Sequence, residues 1–495
     1  MKAVWLVGAG PGAPEHLTQA AQQALAQAEV VVYDTLVDPR VLALIPPQAQ
    51  TYSVQGLSQE QINDLLISHY RQNRQVVRLK SGDPFIFGKA TQELAALAAA
   101  GCRYHVVPGI STATGAATLA GIPLTDKDWG RSIGVITAHA PAQLDWAALA
   151  RLDTLVCLMG TGQLEPIQTQ LLHHGKPPDT PAALIHRAGQ LGQTVWTGTL
   201  GTLGQQTAAP PSVVVIGPGA GYQGLGQSRL PLAGKTILVT RAADGGSELA
   251  ERLQRLGAQV VHLPLLVVTP PPDWTPLDQA LDHLATFNWL VLTSAHAVQF
   301  FWQRLWARGY DGRALAHLQI AVVGEKTAAY LQRQGLRADL VPREFVADAL
   351  LESFPVDCRG MRVLFPRVAS GGRQVLTAGL RARGAQVTEV AAYETVCPAT
   401  VPLYITDALR HKHIHVLTFA SAKTVAHFAQ LLEQTAPGEW LSWIAPSLIA
   451  AIGPQTAQAC QHYLQRVDVQ AQEYTLDGLV QALVAYYGDT NTPSS

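Results

Sequence analysis

Charge is scarce in this sequence. Asp, Glu, Lys and Arg make up 14% of 495 residues, and 35 basic against 36 acidic side chains leave a formal net charge of −1. Runs of Lys or Arg never exceed two residues, so a phosphate backbone meets no electrostatic footprint and no nucleic-acid partner is expected. Cysteine is scarce too. Cys102, Cys157, Cys358, Cys397 and Cys460 are far apart, odd in number and without a CxxC pair, which argues against a disulfide framework or zinc ribbon and for reduced thiols in a cytosol. Long apolar runs are missing as well: none approaches the ~18 residues of a membrane span, and the run after Lys2 is broken by Gly8 and Pro11, too early for a signal-peptide core. A soluble cytoplasmic enzyme without membrane contact is expected. What the chain has is apolar material, 48% of its residues, enough for several cores in two to four domains.

Short β-branched runs alternate with Ala/Leu/Gln-rich stretches almost throughout: "AVWLV", "VVVY", "QVVRL", "TLVCLM", "SVVVIG", "TILVT", "WLVLTS", "IAVVG", "VLTFAS" and "IAAIG". Continuous apolar strands between helices indicate α/β architecture with parallel sheets buried on both faces. One stretch breaks the rhythm. Gly217 to Gly234, "GPGAGYQGLGQSRLPLAG", is glycine-rich and aperiodic, which sets a linker at 219–233 between a first domain, 1–218, and a second, 234–488, with a flexible tail at 489–495.

The second domain repeats itself. "ILVTRAADGG…GAQVVHL" from Ile237 returns as "VLFPRVASGG…GAQVTEV" from Val363, "TSAHAV" at Thr293 as "ASAKTV" at Ala420, and "IAVVGEKTAAYL" at Ile320 as "IAAIGPQTAQAC" at Ile449, at offsets of 126, 127 and 129 residues. Two similar lobes follow, with a ligand expected between them. In "LTSAHAV", "FASAKTV", "VGEKT" and "IGPQT" a strand ends in Ser, Thr or Gly and a helix begins. Four such N-termini suit a ligand with several carboxylates or phosphates, although Ser and Thr there also serve as ordinary caps.

"LAGKTILVTRA", "WLVLTSAHAV", "IAVVGEKTAAYLQRQGL", "VAAYETV" and "IAAIGPQTAQA" resemble the uroporphyrinogen-III synthase family over roughly residues 232–487. The resemblance implies a bilobal fold that cyclises the linear tetrapyrrole hydroxymethylbilane with inversion of its last ring. It implies a tyrosine, here Tyr393, that helps the hydroxymethyl group leave as water, and substrate contacts at Arg241, Thr293, Ser294, Lys326, Ser421 and Thr456. Such a reaction needs positioning and charge complementarity more than a nucleophile or metal, and no metal site is expected.

The first domain opens on "VWLVGAGPGAPEHLT", a strand, three glycines in five positions and a helix. As a dinucleotide loop it is weak: the third glycine comes one position early for GxGxxG, and Pro11 removes an N–H where a pyrophosphate wants one. A NAD-dependent oxidoreductase has only this loop in its favour. Together with "VVYDTLV", "RLKSGDPFIFG", "VVPGISTATGAATLAGIPLT" and "TLVCLMG", the loop resembles the tetrapyrrole methylases, most closely the uroporphyrinogen-III C-methyltransferases, over roughly residues 4–217. What the resemblance implies is a two-lobed fold holding S-adenosylmethionine at Pro11, Ser81, Gly82, Asp83, Ile86, Ser111, Thr112, Met159 and Ala188. It also implies Asp34 as proton acceptor, uroporphyrinogen III as substrate, precorrin-2 as product, and a homodimer through this domain.

The chain departs from that family's pattern in places. A lysine expected after the "YD" segment is replaced by Gly56 in "TYSVQGLSQEQIN", in a shortened loop, with Lys80 and Lys89 the nearest substitutes as proton donor. "HRAGQ", His186 to Gln190, stands for a usual "ENGT". An altered or inactive methylase half is therefore one alternative, and a non-enzymatic bilobal anion-binding protein another. "HKHIHV" places His411, His413 and His415 at i, i+2, i+4 on an expected strand, read as its polar entry rather than as metal ligands. The product of the second domain is the substrate of the first, so the two resemblances together imply one bifunctional enzyme of tetrapyrrole biosynthesis, towards siroheme or cobalamin.

Overall fold

The computed structural model describes residues 2–222, 230–241, 243–342, 347–370 and 375–489. Its first sheet comprises β1 (Val4–Gly8), β2 (Val30–Tyr33), β3 (Gln50–Ser53), β4 (Val76–Lys80) and β5 (Tyr104–Val107), in the order β3-β2-β4-β1-β5 with every pair parallel. β4 is buried along its whole length, as a strand covered by helices on both faces must be. From β1 the chain crosses to one side and from β4 to the other, so the switch point lies between them. Loops leaving the carboxyl ends of β1 and β4 therefore face a common crevice.

The second sheet is β6 (Ile133–Thr137), β7 (Thr154–Leu158), β8 (Pro181–His186), β9 (Thr194–Thr199) and β10 (Ser212–Ile216), ordered β6-β7-β10-β8-β9. Only β6 and β7 run parallel; β10 is antiparallel to β7 and β8, and β8 to β9. This corrects the all-parallel expectation. "SVVVI" is apolar and buried from end to end, and such a run is the same for either strand direction.

The second half builds two more sheets, and they share out the repeat. One is β12-β11-β18-β19-β20, from β11 (Thr236–Val239), β12 (Gln259–His262), β18 (Val416–Phe419), β19 (Leu448–Ala451) and β20 (Val469–Gln470). The other is β13-β17-β16-β14-β15, from β13 (Val267–Thr269), β14 (Trp289–Leu292), β15 (Gln319–Val322), β16 (Arg362–Val368) and β17 (Gln386–Val396). Each lobe thus takes two strands from one copy of the repeat and three from the other. The exchange puts β11 beside β18, and β16 beside β14, in parallel register. A helix such as Ala295–Ala307 shows what seals them: Val298, Phe301 and Leu305 recur on one face, all fully buried, beside Leu290 and Leu292 of β14, as an amphipathic helix on a sheet requires.

The chain packs as two compact units, the first made of residues up to Thr236 with Leu256–Gln259 and Pro402–His415, the second of the remainder. Of the expected linker, 223–229 lies outside the described residues, as does 490–495 of the expected tail. His411 caps the helix Leu403–Arg410, and His413 and His415 precede β18 rather than lying on it. Among the described residues no group of three or more His, Cys, Asp or Glu is placed to hold a metal ion, and no helix is long and apolar enough to cross a membrane.

Candidate active sites

The glycines of the opening loop are used against other backbone. A Cβ on Gly8 would lie 2.6 Å from Gly109 Cα and 2.7 Å from the Gly82 carbonyl oxygen, and one on Gly12 would lie 2.5 Å from the Gly189 carbonyl. Gly10, at φ +70°, exchanges two hydrogen bonds with Gly82, 3.1 and 2.9 Å long. Three loops are thereby drawn together at the carboxyl edge of the first sheet. Asp83 adds to this closure, accepting the Phe85 N–H at 2.8 Å and the Gly109 N–H at 3.0 Å.

Beside these loops opens a cleft of about 270 Å³. Its walls include Pro11, Ser81, Ile86, Thr112, Met159 and Ala188, six of the nine residues expected at the donor, together with Asp34. Gly82, Asp83 and Ser111 do not line it; Ser111 caps the helix Thr112–Leu119 by accepting the Ala113 N–H. Sequence reasoning missed Leu36, Phe87, Gly88, Leu158, Thr161, Ile185, Gln190 and the run Pro210 to Val213. No short motif in the sequence marks them. Phe87, like the expected Met159, sits at positive φ, 53° and 55°, a conformation that bulky residues keep where surroundings enforce it.

Asp34 stands just beyond the carboxyl end of β2, half-buried. It pairs with Arg78 and accepts the Ser81 N–H at 3.3 Å. Lys80, one of the two lysines expected as substitutes for the missing one, is not placed as a donor to the cleft: it does not line it, is 2% exposed and is bonded to both oxygens of Glu93; burial, then the neighbouring Arg78, push its ammonium below the usual lysine range, against the pull of Glu93 and Asp34. Lys89 is exposed, directly after the cleft residue Gly88. Gly56 lies in an exposed turn at φ +79° with nothing within 4 Å of a Cβ there.

In the second half the expected residues gather at the carboxyl edges of the two sheets. Tyr393 is on β17, opposite a register shift between Arg367 and Val368 of β16, the kind of irregularity that re-aims a side chain. Its hydroxyl lies 3.0 Å from Ser294 Oγ and its ring stacks on Phe300 at 6.2 Å. Thr293 and Ser294 follow β14, and Ser294 also accepts the Ala297 N–H as cap of Ala295–Ala307. Lys326 is exposed in the first turn of Glu325–Arg333. On the other sheet, Arg241 is exposed beyond β11, Ser421 caps Ala422–Thr435, and Thr456 is 4% exposed in the first turn of Pro454–Tyr463.

The four helix N-termini are not alike. Ser294 and Ser421 fill theirs, whereas Gly324 and Gly453 make no side-chain cap bond. The latter two leave backbone N–H groups for an anion, less one where Pro454 has none.

Two family models match the chain, "Tetrapyrrole (Corrin/Porphyrin) Methylases" over residues 3–204 and "Uroporphyrinogen-III synthase HemD" over residues 247–481. A uroporphyrinogen-III synthase of Synechococcus elongatus is 47% identical over 253 residues, 51% of this chain and 96% of that protein. A uroporphyrinogen-III C-methyltransferase of the same organism is 49% identical over 223 residues, 43% of this chain and 92% of that one. The porphyrin biosynthesis protein HemD of Ruminiclostridium josui aligns along 98% of both chains at 30% identity.

Proposed function

The chain belongs to the tetrapyrrole methylases in its first half and to the uroporphyrinogen-III synthases in its second, and from that premise we propose how its two sites divide the work. It is a bifunctional enzyme of tetrapyrrole biosynthesis, synthase and C-methyltransferase in one chain.

The synthase half closes hydroxymethylbilane to uroporphyrinogen III. Arg241, Lys326 and the helix N-termini at Gly324 and Gly453 hold its carboxylates, and Tyr393 donates the proton with which the hydroxyl leaves as water. Ser294, 3.0 Å from the Tyr393 oxygen, fixes that hydroxyl and can share its proton. Thr293, Ser421 and Thr456 complete the substrate edge.

The methylase half takes uroporphyrinogen III on to precorrin-2. S-adenosylmethionine fits the cleft by its chemistry: apolar walls at Ile86, Phe87, Leu158 and Met159 suit a purine and thioether, and Ser81 and Thr112 offer hydroxyls. When bound it supplies an electrophilic methyl group. Asp34 is the carboxylate lining that cleft, and it accepts the proton that the methylated pyrrole releases. That Asp34 and six donor-site residues share one cleft is the observation that carries this reading.

The test supplies hydroxymethylbilane to the purified protein, with and without S-adenosylmethionine, and follows products by mass spectrometry. Uroporphyrinogen III is expected without the donor, and a gain of two methyl groups with it. Uroporphyrinogen I alone refutes the synthase assignment; uroporphyrinogen III without any gain refutes the methylase assignment and favours an altered methylase half, for which Gly56 in its exposed turn is the specific observation. A homodimer and a cytoplasmic location go with this function, the former measurable by sedimentation.

A further inference from the structure

Strand β4 sends two cations to one side of its sheet. Arg78 and Lys80 are two residues apart, hence on the same face, and each is 2% exposed. Glu93, 1% exposed on the helix Ala90–Ala99, accepts from Arg78 Nε at 2.8 Å and from Lys80 Nζ at 3.0 and 2.9 Å. The far edge of the Arg78 guanidinium donates to Asp34 and to the carbonyls of Leu79 and Val32, at 3.1 and 3.4 Å. Two cations and two carboxylates cancel, and of the four only Asp34 lines the cleft.

Neutrality here is an arrangement with one weak point. An ammonium buried without a counter-charge is strongly disfavoured, and without the charge of Glu93 both cations would have Asp34 as their nearest carboxylate. Lys80 lies beside the cleft, since a Cβ on the cleft residue Gly88 would meet Lys80 Cε at 3.2 Å, and the Asp34 charge already acts on its ammonium. We propose that Glu93 is the positioning residue of the methylase half: by occupying Lys80 and bracing Arg78, it leaves Asp34 facing the cleft as proton acceptor. After the new carbon–carbon bond forms at a ring carbon that already bears a side chain, the macrocycle is left cationic; a C–H bond of an adjoining bridging methylene breaks, its electron pair forms a new double bond that neutralises the ring, and the proton passes to an Asp34 oxygen. This rests on the methylase reading above.

The test compares wild type, Glu93→Gln and Lys80→Met/Glu93→Gln. In Glu93→Gln the methylation kcat is expected to fall about tenfold or more, while KM for S-adenosylmethionine and the affinity for S-adenosylhomocysteine stay within about twofold, since Glu93 lines no part of the cleft. Removing Lys80 as well ends the competition for Asp34, and kcat should return to within about threefold of wild type. A merely structural Glu93 gives the opposite order, because the double variant loses more buried bonds. Wild-type kcat in Glu93→Gln, or a double variant no better than the single, overturns the proposal. Should Glu93→Gln fail to fold, the double variant decides alone, and a folded double more than about tenfold below wild type overturns it. If wild type itself makes no methylated product, the methylase reading has failed instead, and positioning is read from carbodiimide labelling of Asp34 with glycine ethyl ester. Labelling should slow about threefold in Glu93→Gln, as Asp34 turns inward, and recover in the double variant; an unchanged rate overturns the proposal.

Discussion

Replacing Gly8 by alanine tests whether the opening loop works by backbone closeness. The added Cβ would sit 2.6 Å from both N and Cα of Gly109 and 2.7 Å from the Gly82 oxygen, against an ordinary contact of about 3.5–4.0 Å. Something must move by about 1 Å. No flexible side chain can give way, because all three neighbours are main chain, pinned by the Ala9 N–H to Lys80 carbonyl bond of 2.7 Å, the Gly10–Gly82 pair and the Asp83 clamp on Gly109. Overpacking of this kind costs about 1–3 kcal/mol, and loosening the Gly10–Gly82 pair adds about 0.5–1.5 kcal/mol per bond. A loss of about 2–6 kcal/mol is expected. Hydrogen exchange followed by mass spectrometry should show β1 and β4 peptides exchanging at least ~30-fold faster, with S-adenosylhomocysteine bound at least ~10-fold more weakly because Ser81 adjoins the displaced Gly82. Gly162→Ala, where a Cβ meets nothing within 4 Å, is the control. Unchanged protection and affinity in Gly8→Ala would refute the reasoning.

Tyr393→Phe keeps the stacking on Phe300 but loses the hydroxyl; cyclisation kcat should fall about 100-fold with little change in KM, and a wild-type rate in a stopped-flow assay rules out its role. Ser294→Ala should slow the same step and also cost about 1 kcal/mol as a lost cap, so only this variant should melt earlier by calorimetry. Complete burial pushes the Cys157 thiol up to about 12, and burial with the nearby Asp468 does the same for Cys460. At pH 8 only about one in ten thousand of either is thiolate, so iodoacetamide should modify half-buried Cys397 first and those two only on unfolding, as peptide mass spectrometry can show. His16 and His69 are held below the ordinary histidine value of 6.5, mainly by burial, and Nδ1 of each lacks a partner among the described residues. Unfolded, both would titrate near 6.5, so their neutral forms support folding fully above that pH and lose support as pH falls through the lowered values. Urea midpoints should drop from pH 7.5 to 5.5, and His69→Leu should flatten the drop; a slope unaffected by that change contradicts the assignment.

The sequence made strands easy to see and their partners hard. "VVRLK" and "SVVVI" both announce buried strands, but nothing in an apolar run of five distinguishes a parallel neighbour from an antiparallel one, so the mixed sheet β6-β7-β10-β8-β9 was illegible. The repeat was plain in Arg241/Arg367 and in Thr327/Thr456, yet sequence similarity does not say which copy a strand joins. Its exchange depends on pairings made across about 180 residues, such as Thr240 Oγ1 donating to the Thr418 carbonyl at 2.7 Å. Where a short motif carried an expected residue, as at Ser81, Ile86 and Thr112, the structure puts that residue on the cleft wall. Pro210 to Val213 arrive at the cleft from the far end of the domain, on no motif, and Glu93 is an ordinary helix glutamate until Arg78 and Lys80 are seen to need it.

The near-neutral composition hides two opposite uses of charge. Beside the methylase cleft the charges of Arg78, Lys80, Glu93 and Asp34 are few and balanced to zero, and of the four only Asp34 reaches the cleft wall. An unpaired charge there would be costly: Arg78, Lys80 and Glu93 sum to one positive charge, and Asp34 completes the balance from the cleft wall. At the synthase edges, Lys326 and Arg241 are exposed and the open helix ends at Gly324 and Gly453 carry only partial charge. Such groups gain little from one another in water, but an anionic substrate that brings several carboxylates to them at once draws on all of them together. On the function proposed above, a chain with 14% charged residues holds a highly anionic substrate without a basic patch, because much of the positive potential resides in main-chain N–H groups that no count of lysine and arginine records.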